Sequence, residues 1–389
     1  MPIYLRVIRY LSAFALLAIS ASISYFTIAN SDGGADRDST EYWASSHLLL
    51  NHANPYDKVD LIRLEMQAGM HANRTRVMFN PPCVLALILP FGLLPPHAAI
   101  FLWSMTMIAA LVAAVRTLWT IHGQPAGRFH LLAYVFAPAL AAVTLGQSVA
   151  LVFLGIAFFL RFNQARPFLA GLSFLLLAVK PQLLLPFGVV ALLWAIKGRR
   201  LTFLLGATIS VAASFALPWL VDPQIFSQYL PVVHSAESLS KGMPNLSGLL
   251  HRMDPNAGYL QYVLSIVAVA SCVWLFSRRQ NRWDWNKEGL LVIALSVVVA
   301  PYSWFSDEIL MFPAILCGIY RLADSDRSIA GFGVLNCTAL ALVLFNVPLF
   351  TGAYMWTSLA WLGWAVFAMQ STRTHRIPAE ALNAAEPAA

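Results

Sequence analysis

The chain has 389 residues, 59% of them hydrophobic and 11% charged, with a formal net charge of +7. Soluble domains carry about 25% charged residues, so this chain cannot cover its apolar surface with a polar coat. The composition predicts an all-α polytopic membrane protein and excludes a soluble globular enzyme. The positive charge is no sign of a nucleic-acid partner, because Lys and Arg fall in short loops between apolar runs, as membrane topology demands. Cys83, Cys272, Cys317 and Cys337 form no CxxC pair and read as buried small hydrophobes, with no disulfide framework and no metal site.

In chain order, apolar runs occupy 8–29, 98–119, 129–145, 148–161, 168–180, 182–196, 201–220, 257–276, 288–302, 308–321, 328–347 and 352–370. A helical crossing needs about 20 residues. The first run follows Arg6 and Arg9 and has no small-residue cleavage site before Asp32, so it reads as a retained helix. Alternating the runs from an inside N-terminus leaves only Arg37, Lys58, Arg63, Arg74, Arg76, Lys180, Lys241 and Arg252 of the 25 basic residues outside. The reading is one transmembrane domain over 1–370 with about 12 helices, outer loops at 30–97 and 221–256, and a disordered cytoplasmic tail at 371–389. Every inside loop is short, so polar chemistry belongs at the outer face.

Two runs are irregular. Residues 81–95, PPCVLALILPFGLLP, are too short to cross and read as a re-entrant or interfacial element of the first outer loop. Residues 168–196 are interrupted by Lys180-Pro181-Gln182, and as one straight helix they would set Arg166 and Arg199 on opposite sides. A hairpin with its tip at Lys180 obeys the charge rule, and irregular backbone at membrane depth is tolerated where it lines protein or water.

The first outer loop, DRDSTEYWASSHLLLNHANPYD at 36–57, is dense in chemistry. Asp38 reads equally as a helix N-cap with Glu41 at N3 or as a general base, since Asp38, Tyr42, Ser45 and Leu49 share one helical face. Lys180 is a charge at membrane depth that either pairs with an aspartate or grips a substrate phosphate. Gly146-Gln147 reads as a tight turn between helices or as part of the site. In PYSWFSDE, residues 301–308, Trp304 is an interfacial aromatic and Asp307 another N-cap candidate. Loop 221–256 supplies His234, Glu237, Lys241, Asn245, His251 and Arg252, most of them expected to be solvated. No GxxxxGK[ST], GxGxxG or HExxH occurs, so ATP-driven transport, nicotinamide chemistry and zinc hydrolysis lack support.

Several of these stretches together resemble glycosyltransferase family 87, bacterial multi-pass enzymes of the GT-C superfamily that include polyprenyl-phosphate-mannose-dependent mannosyltransferases. The likeness is carried by Asp38 through Tyr42 and Ala44 to Asn54-Pro55-Tyr56, by Asn80-Pro81-Pro82 with Leu94-Pro95, and by Leu145-Gly146-Gln147-Ser148. The Gly171 to Lys180-Pro181 stretch and Pro301-Tyr302-Ser303-Trp304 with Asp307 complete it. The sequence departs from the family pattern where His52-Ala53 precedes Asn54 in place of glycine and where Asp36 competes with Asp38 for the acidic position, Asp38 being preferred for its four-residue spacing to Tyr42.

The resemblance implies a GT-C-type bundle whose large first outer loop carries short interfacial helices. It implies an inverting transferase in the bacterial plasma membrane, termini cytoplasmic and active site outside, moving a hexose or pentose (mannose favoured) from a polyprenyl-phosphate sugar to a glycan or lipid. Asp38 would be the catalytic base. Lys180, with Arg252 and His251, would meet the donor phosphate, and Tyr42, Asn80, Gln147, Gln182, His234, Trp304 and Asp307 would line the substrate cavity. No metal or cofactor is implied beyond the lipid-phosphate sugar as co-substrate. The alternative is a transporter or flippase of a lipid-linked sugar, which shares the cavity, the hairpin and the intramembrane charge but needs no base.

Overall fold

The computed structural model describes residues 37–70, 78–236, 243–254, 259–322, 326–349 and 351–370, with backbone alone at 234–236, 251–252, 260–261 and 326–328. The expected first helix at 8–29 and the tail at 371–389 lie outside the described residues. Every expected apolar segment from 98 onward contains helix, and no strand occurs among the described residues. Pro96–Ile121, Leu201–Val221 and Tyr262–Arg282 are long and apolar enough to cross a membrane. The remaining helices are shorter or broken, so the expected count of twelve spans rests on the apolar pattern and not on helix length.

The breaks have local causes. The 129–145 run divides into a 3₁₀ turn, Phe129–Val135, and a helix, Ala137–Leu145, with Pro138 near its start. Asn336 on the helix Asp326–Leu344 repairs the interrupted backbone: its Nδ2 donates to Val135 O at 2.8 Å and its Oδ1 accepts from Ala137 N at 2.9 Å. A neighbouring side chain thus supplies partners that a continuous helix would have supplied itself.

The 168–196 run folds as Pro167–Leu172, Phe174–Leu177, a 3₁₀ turn Pro181–Leu184 and the helix Leu185–Lys197. The rings of Phe174 and Phe187 lie 6.3 Å apart, and both pack on Phe159. In a straight helix their Cα atoms would be about 20 Å apart, so the chain doubles back between them, with Lys180 at the bend. Proline at 181 disfavours helical backbone at Lys180, which adopts φ −138° and ψ 68°. Behind the bend, Pro167–Leu172 crosses Leu201–Val221 at two glycines. A Cβ on Gly171 would stand 2.2 Å from Phe203 O, and one on Gly206 would stand 2.4 Å from Phe168 O. Small residues let the backbones approach this closely.

Phe159 is surrounded by Phe174, Phe187, Trp194, Phe203 and Trp285, with centroid separations of 4.7–6.3 Å. Each such pair contributes about 0.5–1.5 kcal/mol beyond its buried area, so this knot clamps the base of the hairpin. The short element at 81–95 is three helical turns, Pro82–Val84, Leu85–Ile88 and Leu89–Leu93, folded back on the helix Asp38–Leu50. Trp43 Nε1 donates to Leu94 O at 3.0 Å and His47 Nδ1–H to Gly92 O at 2.9 Å. Among the cysteines, Cys83, Cys272 and Cys317 are buried, but Cys337 is exposed, against the expectation for all four. Its helix, Asp326–Leu344, also exposes Val334 and Leu344, so an apolar run there marks a face turned outward.

Lys197 Nζ donates to Gln280 Oε1 at 3.0 Å, which joins the basic stretch 197–200 to the basic stretch 278–287. Leu201–Val221 leads from that end to the opposite one, where His52 Nδ1–H donates to Val221 O at 3.2 Å. Twenty-one helical residues cover about 30 Å, close to the hydrocarbon thickness of a bilayer. The bend at Lys180 lies at the far end of Leu185–Lys197 from Lys197, and so at the end away from these basic stretches.

Candidate functional site

The site is built at that end from four separate pieces of chain. The helix Asp38–Leu50 contributes its first residue. Its N-cap is Arg37, whose side chain makes no cap bond, so the N-cap reading of Asp38 is corrected. The Asp38 carboxylate instead accepts a hydrogen bond from Gln147 Nε2. As expected from spacing, Tyr42, Ser45 and Leu49 follow Asp38 into the interior.

Gln147 is presented by the turn after Ala137–Leu145. Gly146 ends that helix at φ +68°, a left-handed conformation that a side chain would strain. A Cβ there would also press on Ser39 at 3.1 Å, so glycine lets the turn sit directly against the start of Asp38–Leu50. Trp103 Nε1 fixes the turn from behind, donating to Gly146 O at 2.7 Å.

Lys180 is 2% exposed and Asp307 is fully buried. Lys180 Nζ donates to Asp307 Oδ1 at 2.7 Å and to Gln147 Oε1 at 2.8 Å. The N-cap reading of Asp307 is corrected: Trp304 is the N-cap of the turn Phe305–Met311, and Asp307 stands at its third position, where Oδ2 accepts from Trp304 N at 2.8 Å. One carboxylate therefore does two jobs: it caps a helical turn and neutralises a buried ammonium. Asp38, Gln147, Lys180 and Asp307 form a continuous hydrogen-bonded chain drawn from residues 38 to 307.

A second polar group adjoins it. Tyr42 Oη and Ser148 Oγ share a hydrogen bond at 3.2 Å, and Asn80 Nδ2 donates to Ser148 Oγ at 3.2 Å. The Tyr42 ring rests on Trp103 with centroids 5.2 Å apart. Burial first, and the carboxylates of Glu41 and Asp38 second, raise the Tyr42 phenol well above its ordinary value, so it stays neutral. Trp304 is half-buried and gives its indole N–H to Tyr302 Oη. Gln182 is half-buried in the 3₁₀ turn and takes no part in these bonds. The side chains of His234, His251 and Arg252 lie outside the described residues.

Two residues hold the site's surroundings: Asn245, named among loop residues expected to be mostly solvated, and Tyr229, which the sequence reading did not single out. Asn245, 1% exposed, caps Leu246–Met253 by accepting from Gly248 N at 2.8 Å. Its amide also donates to Ala300 O at 2.7 Å and Ser303 Oγ at 2.9 Å. The helix that carries His251 and Arg252 is thereby tied to the Pro301–Trp304 stretch. An Asn directly before the apolar pattern Leu246, Leu249, Leu250 was the available signal. Tyr229, on Ile225–Ala236, donates its Oη–H to Phe79 O at 2.8 Å, beside Asn80. The Tyr229 bond brings the 221–256 stretch onto the 30–97 stretch, and the Asn245 bonds bring it onto the Pro301–Trp304 stretch. Among the described residues no three His, Cys, Asp or Glu side chains gather in the manner of a metal site.

The sequence model of glycosyltransferase family 87 matches residues 79–303, more than half of the chain. The match contains Asn80, Gln147, Lys180 and Trp194 and stops short of Asp38 and Asp307 at either end. No curated protein and no solved structure matches the chain.

Proposed function

The chain belongs to glycosyltransferase family 87, and from that membership we propose an inverting, GT-C-type transferase of the bacterial plasma membrane. It moves a hexose or pentose, mannose favoured, from a polyprenyl-phosphate donor to a glycan or lipid acceptor at the outer face. The observation that carries this reading is the hydrogen-bonded chain from half-buried Asp38 through buried Gln147, Lys180 and Asp307, set at the end of the molecule away from the basic stretches 197–200 and 278–287. A soluble nucleotide sugar is absent outside a cell, so a lipid carries the activated sugar to that face.

In this reading Asp38 takes the proton of the acceptor hydroxyl. The acceptor oxygen attacks the anomeric carbon as the bond from that carbon to the phosphate oxygen breaks. Polyprenyl phosphate leaves with the electron pair, and the anomeric configuration inverts. A phosphate leaves at neutral pH without protonation, so it needs cations more than an acid. Lys180 has one N–H beyond those given to Asp307 and Gln147, and His251 and Arg252 complete the assigned phosphate set. Tyr42, Asn80 and Trp304, with Gln182 and His234, are assigned to the sugar and lipid. The donor's own phosphate activates the sugar, so no resident cofactor is required.

The test is transfer of radiolabelled sugar from synthetic polyprenyl-phosphate donors into membrane extracts, wild type against Asp38→Asn. A positioned base contributes about 10²–10⁴-fold, so the variant loses transfer by that factor while remaining folded. Equal transfer by both proteins would displace Asp38 as the base, and no transfer by a folded wild type with any donor would overturn the reading.

A further inference from the structure

The atoms of this hydrogen-bonded chain allow one orientation of the Gln147 amide. An ammonium has donors only, so the Gln147 atom 2.8 Å from Lys180 Nζ is the carbonyl oxygen Oε1. The amide nitrogen is then turned to Asp38, where it meets Oδ2. An amide N–H2 only donates, which favours the ionised form of the carboxylate it meets. Asp307 keeps Lys180 paired and neutral in sum, with its second oxygen held by Trp304 N.

We propose that Lys180 and Gln147 are positioning residues: Lys180 locks the amide, and the amide holds Asp38 as an oriented carboxylate. The inference rests on the reading of Asp38 as base. Its chemical sense lies in the spacer. A lysine bonded directly to Asp38 would drive that carboxyl's proton affinity down and blunt it as a base. A neutral amide between them passes on orientation and one hydrogen bond while the ammonium charge is absorbed by Asp307.

The described charged and titratable groups near Asp38 are Arg37, Glu41 and Tyr42 on its own helix, Lys180 at the bend, and Tyr302 and Asp307 on the 301–311 stretch. Further along, the helices packed on Asp38–Leu50 bring Lys58, Asp60, Arg63 and Glu65 from Lys58–Gln67, and His97 and Arg116 from Pro96–Ile121. The turns 82–93 and the helix Leu201–Val221 bring no charged side chain.

The test is Gln147→Glu in the full chain, read by the pH dependence of carbodiimide labelling at Asp38, quantified by peptide mass spectrometry. Carbodiimides react with the protonated carboxyl, and the readout needs no substrate. The new carboxylate has the shape of the amide but only acceptors. It keeps the Lys180 bond and faces Asp38 with a second acceptor oxygen, so the two must share a proton. The labelling midpoint of Asp38 moves up by about one pH unit or more, and the acid limb of kcat/KM moves with it.

A second variant guards against misfolding. Lys180→Met with Asp307→Leu removes the buried pair together, which cores often tolerate, and leaves the amide free to rotate. Here kcat at saturating donor falls at least tenfold, over and above the rise in donor KM that loss of the phosphate-facing ammonium brings. A labelling midpoint equal to wild type in folded Gln147→Glu, or an unchanged kcat in the double variant whatever its donor KM, overturns the proposal. The labelling shift supports the relay whether or not the wild type transfers sugar, because failure of transfer counts against the proposed reaction alone.

Discussion

Tyr42 shows how much a buried hydroxyl carries at the scale of one side chain. Its ring fills space beside Trp103 and its Oη joins Ser148. Tyr42→Phe keeps the ring contact, and Asn80 and Ser148 still bond to each other. The variant loses the bond to Ser148 and the longer 3.5 Å bond from Asn80 Nδ2, at an expected cost of about 0.5–1.5 kcal/mol each, read as the shift in a detergent melt or denaturant midpoint. Burial holds the phenol un-ionised below its ordinary range and beyond, so any limb of the pH–rate profile below about pH 10 survives the substitution. Loss of such a limb in Tyr42→Phe would make Tyr42 the proton acceptor instead of Asp38. Lys180 and Asp307 behave differently because they are ions. Removing either alone strands the other in the interior at a cost of about 3–5 kcal/mol, whereas removing both is often neutral. The singles Lys180→Met and Asp307→Leu are therefore each less stable than their combination, and additive losses in a double-mutant cycle would deny the pair.

At the scale of elements, Asn245 ties the helix Leu246–Met253 to residues 300–303. Asn245→Ala removes an N-cap, worth about 1 kcal/mol, together with the bonds to Ala300 O and Ser303 Oγ. Faster amide exchange or proteolysis confined to 243–253 is expected, and because His251 and Arg252 ride on that helix, donor KM rises more than kcat falls. Unchanged exchange there would mean that the helix is held by other contacts. This element also marks what could be read from the chain beforehand. Helix positions from 98 onward followed from apolar runs bounded by Arg, Pro and Gly, and the bend followed from Lys180-Pro181-Gln182 alone, since a proline and a charge inside an apolar run leave few choices. The partners were a different matter. Nothing local to Lys180 points to an aspartate 127 positions away, and nothing local to Asp38 says that its carboxylate turns to Gln147 in preference to its own helix's N–H groups. Such pairings are decided by which turns a bundle brings to one end, so the residue types were legible and the bonds between them were not.

Across the whole molecule, the arrangement of charge predicts which end faces which compartment. Lys197 through Arg200 and Arg278 through Lys287 meet at one end, and Asp38, Gln147, Lys180 and Asp307 meet at the other, about one bilayer thickness away by the length of Leu201–Val221. Cytoplasmic loops collect Lys and Arg, so the basic end is predicted to lie inside and the carboxylates outside, where the proposed lipid-borne sugar would arrive. Substituted-cysteine labelling decides this. Cys83, Cys272 and Cys317 are buried and Cys337 is exposed, so Cys337→Ser supplies a quiet background for a membrane-impermeant maleimide on intact cells. A cysteine replacing exposed Lys58, next to the helix Asp38–Leu50, is expected to label from outside. One replacing exposed Arg199 is expected to label only after the membrane is opened. The reverse pattern would put the site in the cytoplasm, where nucleotide sugars are plentiful and a polyprenyl carrier is unnecessary, and the donor assignment would fall with it. If both cysteines label from the same side, an odd number of crossings between 58 and 199 is ruled out, and the segments between them must be recounted from the short helices.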